Sequence, residues 1–366
     1  MTAFASDRLA GSQPAATERA NSRARLAVRL WLALLIGLTL AIVLVGGATR
    51  LTGSGLSITE WQPVVGAVPP LSHAAWLEAF DQYRATSQYE ILNRGMSLAE
   101  FQFIYWWEWG HRQLGRFIGL VYVAGLIGFA ATRAVGRRAW LALFGLGLLL
   151  GLQGLVGWIM VASGLQPGMV AVAPVKLTLH LTFACLFFAA LVAAFVRFGG
   201  ARRMPAPAAL TAGAWALAAL IVVQIALGGL VAGHKAGLAY NTWPLMDGRF
   251  VPEGWLMLEP VWRNFVENVT TVQFVHRMGA YAIALAAAGY AWWAWRAGSA
   301  LRRRTALILT LVAIQVVLGI LTLIHHVPLG LALAHQGAAL LLLGAAVWNA
   351  ASLQGVSRRR GPAPAA

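Results

Sequence analysis

The chain has 366 residues, of which 59% are hydrophobic and 11% are charged, and its mean hydropathy is +0.69. These values exclude an ordinary soluble domain and indicate a polytopic membrane protein. The net charge of +16 would suit a nucleic-acid binder, but the basic residues cluster in short segments between apolar runs, so no nucleic acid is expected as a partner.

Eight apolar runs are long enough to cross about 30 Å of hydrocarbon as helices. They cover residues 27–47, 104–131, 139–161, 175–196, 209–231, 271–295, 305–325 and 331–350. The sequence therefore predicts an all-α polytopic membrane protein with eight transmembrane helices. The polar ends, 1–26 and 351–366, are interpreted as cytoplasmic tails, the first of them disordered.

The distribution of charge predicts the orientation. Arginines cluster near both ends of the chain and after the second, fourth and sixth runs, so these segments and both termini are predicted to face the cytoplasm. Acidic residues concentrate in 48–103 and 232–270, which are predicted to be long, ordered outer loops. The only cysteine, Cys185, lies in an apolar run and excludes an internal disulfide or a thiolate cluster.

An internal repeat divides the chain into two halves. The recurring residues are Gly46, Gly47, Gly55 and Trp61 with Gly228, Gly229, Gly237 and Trp243, all at an offset of 182, and Gln153 and Gly157 with Gln315 and Gly319. Each half holds four runs, an even number, so both halves would cross the membrane in the same direction. The simplest architecture is two parallel-repeat four-helix bundles, residues 27–198 and 209–350.

Four of the eight histidines follow the repeat, and each lies about a turn inside the outer end of an even-numbered run. They are His111 and His180 in the first half, and His276 and His335 in the second. Two neutral imidazoles that face each other across a bundle are a common way to hold a heme iron. The small residues one turn deeper, which would leave room for a flat porphyrin, are Gly115, Ala184, Gly279, Ala280 and Ala339.

Other interpretations of the histidines remain open. A lone intramembrane histidine more often makes a hydrogen bond between helices. A copper or zinc site is disfavoured because no cysteine or carboxylate cluster would complete it. The four histidines outside the repeat, which are expected to be polar surface residues, are His73, His234, His325 and His326.

Glu108 precedes His111 by three residues, so both side chains share one helix face, whereas the equivalent residue in the second half is Gln273. A carboxylate beside a heme can transfer a proton or stabilise positive charge, and an amide cannot. The first bundle is therefore predicted to be the reactive one. The alternative for Glu108 is an ion pair with Arg112.

Three arginines near the outer ends of the helices, Arg112, Arg116 and Arg277, are candidates to pair with heme propionates. Snorkelling to the lipid headgroups is the alternative.

Four segments carry a family resemblance. They are GGATRLTGSGLS (46–57), WWEWGHR (106–112), AYNTWPLMDG (239–248) and VHRM (275–278). They resemble the heme A synthase family, most closely its proteobacterial and mitochondrial branch, and the resemblance extends over about residues 28–350.

The resemblance implies an inner-membrane oxidoreductase that acts on CH groups and converts the C8 methyl of heme O to the formyl group of heme A. Successive hydroxylations and loss of water from a gem-diol are implied, with water favoured as the oxygen source. By position, His111 and His180 would ligate the substrate heme, His276 and His335 would ligate a heme b, and Glu108 would be catalytic.

The implied partners are heme O, the farnesyltransferase that makes it (heme O synthase) and assembly factors of cytochrome oxidase, with a homo-oligomer possible. Some bacterial members carry a cysteine pair in an outer loop, which this chain lacks.

Two other classes of protein are weighed against this reading. A diheme cytochrome b that passes electrons from quinol would need two equivalent sites, which the contrast of Glu108 with Gln273 disfavours. A transporter built of parallel repeats commonly has helices broken near the membrane midplane. Here the polar residues lie near one face instead.

Overall fold

The computed structural model describes residues 12–62, 64–199 and 203–356, with side chains from residue 22 onward. Eight long helices dominate the described residues. We label them α1 (Ser12–Leu51), α2 (Leu98–Ala131), α3 (Arg137–Gly164), α4 (Pro174–Arg197), α5 (Ala208–Gly233), α6 (Val269–Trp295), α7 (Ser299–Ile324) and α8 (Leu329–Ala351). Seven of them, all except α6, are long and apolar enough to cross a membrane. The prediction of an all-α polytopic membrane protein is confirmed.

Helix α6 is as long as the others, with 27 residues. Its first turns hold the polar residues Thr270, Thr271, Gln273 and Arg277, which lower its hydropathy. That α6 crosses the membrane, and hence the total of eight spans, stays a prediction.

Side-chain caps decide where two of the helices begin. Helix α2 starts before the predicted apolar edge because Ser97 and Glu100 form a capping box, in which each side chain accepts the backbone N–H of the other. Asn268 caps α6 by accepting from the N–H groups of Thr270 and Thr271. The length of an apolar run does not reveal such caps.

Regular secondary structure extends into both predicted tails. Helix α1 begins at Ser12, so it includes part of the segment predicted to be disordered, and the alanines and arginines there are strong helix formers. At the other end, Leu353–Val356 forms a short strand that pairs in parallel with Met204–Pro207. Residues 1–11 and 357–366 lie outside the described residues.

The long helices pack as two rings of four. In the first ring α1 packs on α2, α2 on α3, α3 on α4 and α4 on α1, and the same order of contacts joins α5, α6, α7 and α8. The rings meet where α4 contacts α5, α1 contacts α8 and α4 contacts α8. A twofold rotation that exchanged the halves would preserve this set of contacts. The packing supports two bundles, and their common direction in a membrane stays a prediction.

Two apolar cores fill these rings. One occupies the second ring and continues into α4, where Phe188 packs with residues such as Leu217 and Leu343. The other fills the first ring, around Leu32 and Tyr122. Because α4 belongs to both cores, the two rings are held together by apolar packing.

The segment between α1 and α2 is folded over the N-terminal end of α2. It contains helices His73–Arg84 and Ser87–Leu92. Their aromatic side chains stack on the first turns of α2, with Phe80 against Phe101 at 4.9 Å between ring centroids and Trp76 against Tyr105 at 4.9 Å. This outer cap places residues 57–60 beside Glu108.

Candidate functional site

Each of the four repeat-related histidines packs against a glycine of a neighbouring helix. The pairs are His111 with Gly46, His180 with Gly157, His276 with Gly228 and His335 with Gly319. A Cβ atom added to these glycines would lie 2.8, 2.7, 3.1 and 2.9 Å from the Cε1 atom of the ring, in that order. Carbon atoms in normal contact are about 3.5–4.0 Å apart. Only glycine allows the imidazoles to lie this close to the neighbouring helix.

The close approach brings each ring to the helix backbone. Each ring lies beside the backbone of the residue four positions before the glycine, which is Ile42 for His111, Gln153 for His180, Gln224 for His276 and Gln315 for His335. In the described residues, the buried Nδ1 atoms of His111, His180 and His335 have no hydrogen-bond partner. A ring nitrogen without a hydrogen-bond partner is available to ligate a metal.

The histidines of each ring form a pair. His111 and His180 lie close enough for their ring charges to interact, and so do His276 and His335. Among the described residues, no group of three or more His, Cys, Asp or Glu side chains could hold a metal ion. A metal held by these pairs would therefore need further ligands of its own, as the iron of a heme has.

A substitution at Gly157 tests the contact with the ring. We expect Gly157→Ala to displace His180 and to destabilise the protein by about 1–3 kcal/mol, because the new Cβ overpacks the contact. Gly154 on the same helix is the matched control, since no described atom lies within 4 Å of its added Cβ. Gly154→Ala should be neutral or stabilising by up to about 1 kcal/mol. Thermal unfolding in detergent measures both, and equal melting temperatures would contradict the assigned contact.

Glu108 is buried, with 3% of its surface exposed, and both carboxylate oxygens are hydrogen-bonded. The hydroxyl of Ser57 and the N–H of Ile58 donate to Oε2 at 2.8 and 2.9 Å. Arg112 donates to Oε1 at 2.6 Å, so the ion pair considered as the alternative from sequence is present. The charged pair therefore holds the outer cap on α2, one turn from His111.

Two of the arginines predicted to meet propionates bind backbone carbonyls of the outer segments. The bonds run from Arg112 to Ile58 and Glu60, at 2.8 and 3.1 Å, and from Arg277 to Tyr240 and Thr242, at 2.9 Å each. The acceptors are separated by the repeat offset of 182. The repeat thus extends to individual hydrogen bonds. Arg116 also donates to an outer carbonyl, that of Gln62, at 2.9 Å.

The two rings differ in charge beside the histidines. Gln273 uses its amide nitrogen to donate to the carbonyls of Ala236 and Tyr240, at 2.9 and 3.1 Å. The Glu108 carboxylate instead accepts a hydrogen bond from the backbone N–H of Ile58, in the outer segment that covers it. The first ring alone therefore places a carboxylate one turn from a histidine of the pair.

Glutamine side chains also contact the histidines. The sequence suggested that Gln153 and Gln315 bond between helices, and the structure places them against His180 and His335. Sequence analysis missed Gln224, which contacts His276 in the same way. The available signal was the spacing Gln-x-x-x-Gly, which these three glutamines share.

The four other histidines lie outside the pairs. His73, His325 and His326 are exposed. His234 ends α5, and its Nε2 lies 2.7 Å from the carbonyl oxygen of Val266.

Fold and site together define a class, a multi-pass α-helical membrane protein that holds one histidine pair within each ring of four helices. A family model described as cytochrome oxidase assembly protein matches residues 29–347. The chain belongs to this family.

Similar relatives cover nearly the whole chain. A heme A synthase of Methylobacterium sp. (strain 4-46) is 58% identical over 339 residues, which are 92% of this chain and 94% of the relative. That of Methylobacterium nodulans is 58% identical over 318 residues, 86% and 88% of the two chains. That of Azorhizobium caulinodans is 50% identical over 329 residues, 89% and 94% of the two chains. The resemblance seen in the sequence motifs is confirmed.

Proposed function

We propose that this chain acts in heme A biosynthesis as a heme A synthase, which oxidises the C8 methyl group of heme O to a formyl group. The observation that carries the proposal is the duplicated arrangement of an imidazole on a glycine, twice in each ring. It occurs in a chain whose relatives are named for this activity.

In this proposal His111 and His180 hold the iron of the substrate heme O, and His276 and His335 hold a heme b. The donor set fits, because the rings are half-buried within the helix rings, and His111, His180 and His335 each have a buried Nδ1 atom without a hydrogen-bond partner among the described residues. When bound, a heme b supplies one-electron transfer.

Glu108 is the proposed catalytic carboxylate. Conversion of a methyl to a formyl group with oxygen from water releases protons as well as electrons, so a base is needed in a site that excludes bulk water. Ser57, Ile58 and Arg112 orient the carboxylate from three sides, which keeps it in one position relative to His111. A fixed carboxylate can accept a proton or stabilise positive charge that develops on the substrate.

The outer rim would receive the propionates. Arg112, Arg116 and Arg277 lie at the outer ends of α2 and α6 and bind loop carbonyls there, so three guanidinium groups are held at the polar rim. A carboxylate of the heme is the partner that suits a guanidinium at a polar rim.

The proposed location is the bacterial inner membrane, with both termini in the cytoplasm. The clustering of arginines at the ends of the chain and in the segments between α2 and α3, α4 and α5, and α6 and α7 supports this orientation. The proposed partners are heme O, the farnesyltransferase that makes it and assembly factors of cytochrome oxidase. A homo-oligomer is compatible with this arrangement.

The test is the identity of the product. The full-length protein is co-expressed with a heme O synthase, and the hemes are extracted and identified by mass and by pyridine hemochrome spectra. We expect a formylated heme to appear only when this chain is present. Two equivalent b-type hemes without formylated product would contradict the proposal and favour a diheme cytochrome b.

A further inference from the structure

An open cavity of about 620 Å³ lies between the C-terminal end of α6 and the N-terminal end of α7. Its volume falls in the range of about 300–1,000 Å³ that is typical of ligand sites. His276 and Trp292 are 16 residues apart on α6, so about 24 Å of helix separates the cavity from the histidine pair. The proposed heme chemistry therefore does not use it. The residues that line the cavity are Trp292, Trp295, Arg296, Arg302, Arg303 and Ala306.

The cavity carries positive charge that no carboxylate balances. Arg296, Arg302 and Arg303 are exposed, and among the described residues none of them forms an ion pair. The sequence contains no aspartate or glutamate after Glu267. Three guanidinium groups around one cavity attract an anion, and the planar guanidinium suits phosphate because it can donate two parallel hydrogen bonds.

Contacts within and between the two helices fix the walls of the cavity. The indole N–H of Trp295 donates to Oγ1 of Thr305 at 3.0 Å, and Nε of Arg302 donates to the backbone carbonyl of Trp295 at 2.9 Å. The guanidinium of Arg296 lies over the ring of Trp292, 5.2 Å from its centroid. The cavity thus combines aromatic walls with a charged rim.

The position of the cavity along the helices narrows the choice of ligand. Trp292 and Trp295 are 67% and 44% exposed, and tryptophan is enriched where helices leave the hydrocarbon core. Helix α7, which is long and apolar enough to cross a membrane, begins beside them. Basic pockets between membrane helices bind the head groups of anionic lipids. A phospholipid offers both a phosphate for the guanidinium groups and apolar chains for the indoles.

The first ring has similar charge at the equivalent place but lacks the aromatic pair. Ile127 and Ala130 of α2 occupy the repeat positions of Trp292 and Trp295. The exposed arginines between α2 and α3 are Arg133, Arg137 and Arg138. Positive charge is therefore common to both halves, whereas its combination with two tryptophans belongs to the second.

We propose that the cavity between α6 and α7 binds an anionic phospholipid from the membrane leaflet in which these helix ends lie. Arg296, Arg302 and Arg303 bind the phosphate of the head group, and Trp292 and Trp295 contact the glycerol backbone and the acyl chains. This inference goes beyond the proposed function and requires no heme, so either can fail without the other.

Native mass spectrometry of the full-length protein, purified and delipidated in detergent, measures the binding. Phosphatidylglycerol is the anionic probe and phosphatidylcholine the neutral one. We expect one phosphatidylglycerol to bind about 100-fold more tightly than phosphatidylcholine, at about fivefold for each guanidinium. Arg296→Gln combined with Arg303→Gln should weaken this binding by about 25-fold. Arg302 is kept because it binds the Trp295 carbonyl.

Arg137→Gln combined with Arg138→Gln is the matched control, since it removes the same charge from the first ring and should leave the affinity unchanged. Equal losses in the two double variants would overturn the site, because they would show a response to net charge alone. Equal affinity of wild type for the two lipids would also overturn it.

Two further measurements keep the test decisive. Inorganic phosphate in excess should displace the lipid no more than sodium chloride of equal ionic strength does, and stronger displacement would overturn the lipid assignment in favour of free phosphate. Should the double variant of the cavity fail to fold, Arg303→Gln alone decides. We expect it to weaken binding by about fivefold, and an unchanged affinity would contradict the proposal.

Discussion

Replacing His111 or His180 with alanine should abolish the conversion of heme O while the second ring retains its heme b. Each ring offers two imidazoles, so removal of one leaves the iron with a single protein ligand. We expect a loss larger than the roughly 10–100-fold that removal of a supporting group costs. Replacing His276 or His335 should instead remove the heme b signal. Reduced-minus-oxidised spectra and the mass of the extracted hemes measure both results.

Two exposed histidines supply the control for this series. His325 and His326 follow α7 outside the paired positions, so their replacement by alanine should change neither heme content nor product. If His111→Ala formed heme A at the wild-type rate, the ligand assignment in the first ring would be wrong. Loss of both hemes in every histidine variant would indicate misfolding, and thermal unfolding of the same samples identifies that case.

Glu108→Gln should lower the turnover of heme O by about 100- to 10,000-fold, the range typical of a lost acid or base. The amide cannot accept a proton, and it leaves Arg112 without its partner at 2.6 Å. Breaking a largely buried pair of this kind is also expected to destabilise the protein, here by up to about 3 kcal/mol. Turnover and thermal stability are therefore measured together.

A double variant separates the two effects. Glu108→Gln combined with Arg112→Gln removes both charges, so it should recover part of the stability and none of the turnover. The second ring shows that an amide is tolerated at this position, because Gln273 bonds to the loop that covers it. Recovery of turnover in the double variant would show that Glu108 serves only to balance the charge of Arg112.

Sequence reasoning correctly identified the features that depend on local composition and on the repeat. The length of the apolar runs predicted the class of membrane protein, because a helix must bury about 30 Å of apolar surface to cross a bilayer. The repeat sorted His111, His180, His276 and His335 from the other histidines, and the structure places two of them in each ring, while their role as heme ligands stays a prediction. It also showed the contrast between Glu108 and Gln273.

The same reasoning missed the glycines that the histidines contact. It assigned space for a flat ligand to residues on the histidine helices themselves, such as Gly115 and Gly279. The structure shows these two against Ile42 and Gln224. The glycines that admit the imidazoles lie on neighbouring helices, and the sequence had marked Gly46 only as a sign of the repeat. Which helix faces a given ring depends on how the helices rotate and pair, and hydropathy carries little of that information.

The sequence by itself determined the membrane class, and it predicted the two halves, the four histidines and the one carboxylate beside them, because all of these follow from run length, periodicity and repeat spacing. Only the tertiary structure decided that Glu108 is bound by Ser57, Ile58 and Arg112, and that Gly46 lies against His111. These contacts join residues distant in the chain. They arise when helices dock with a particular rotation, and that rotation is set by the packing of the whole ring rather than by any one segment.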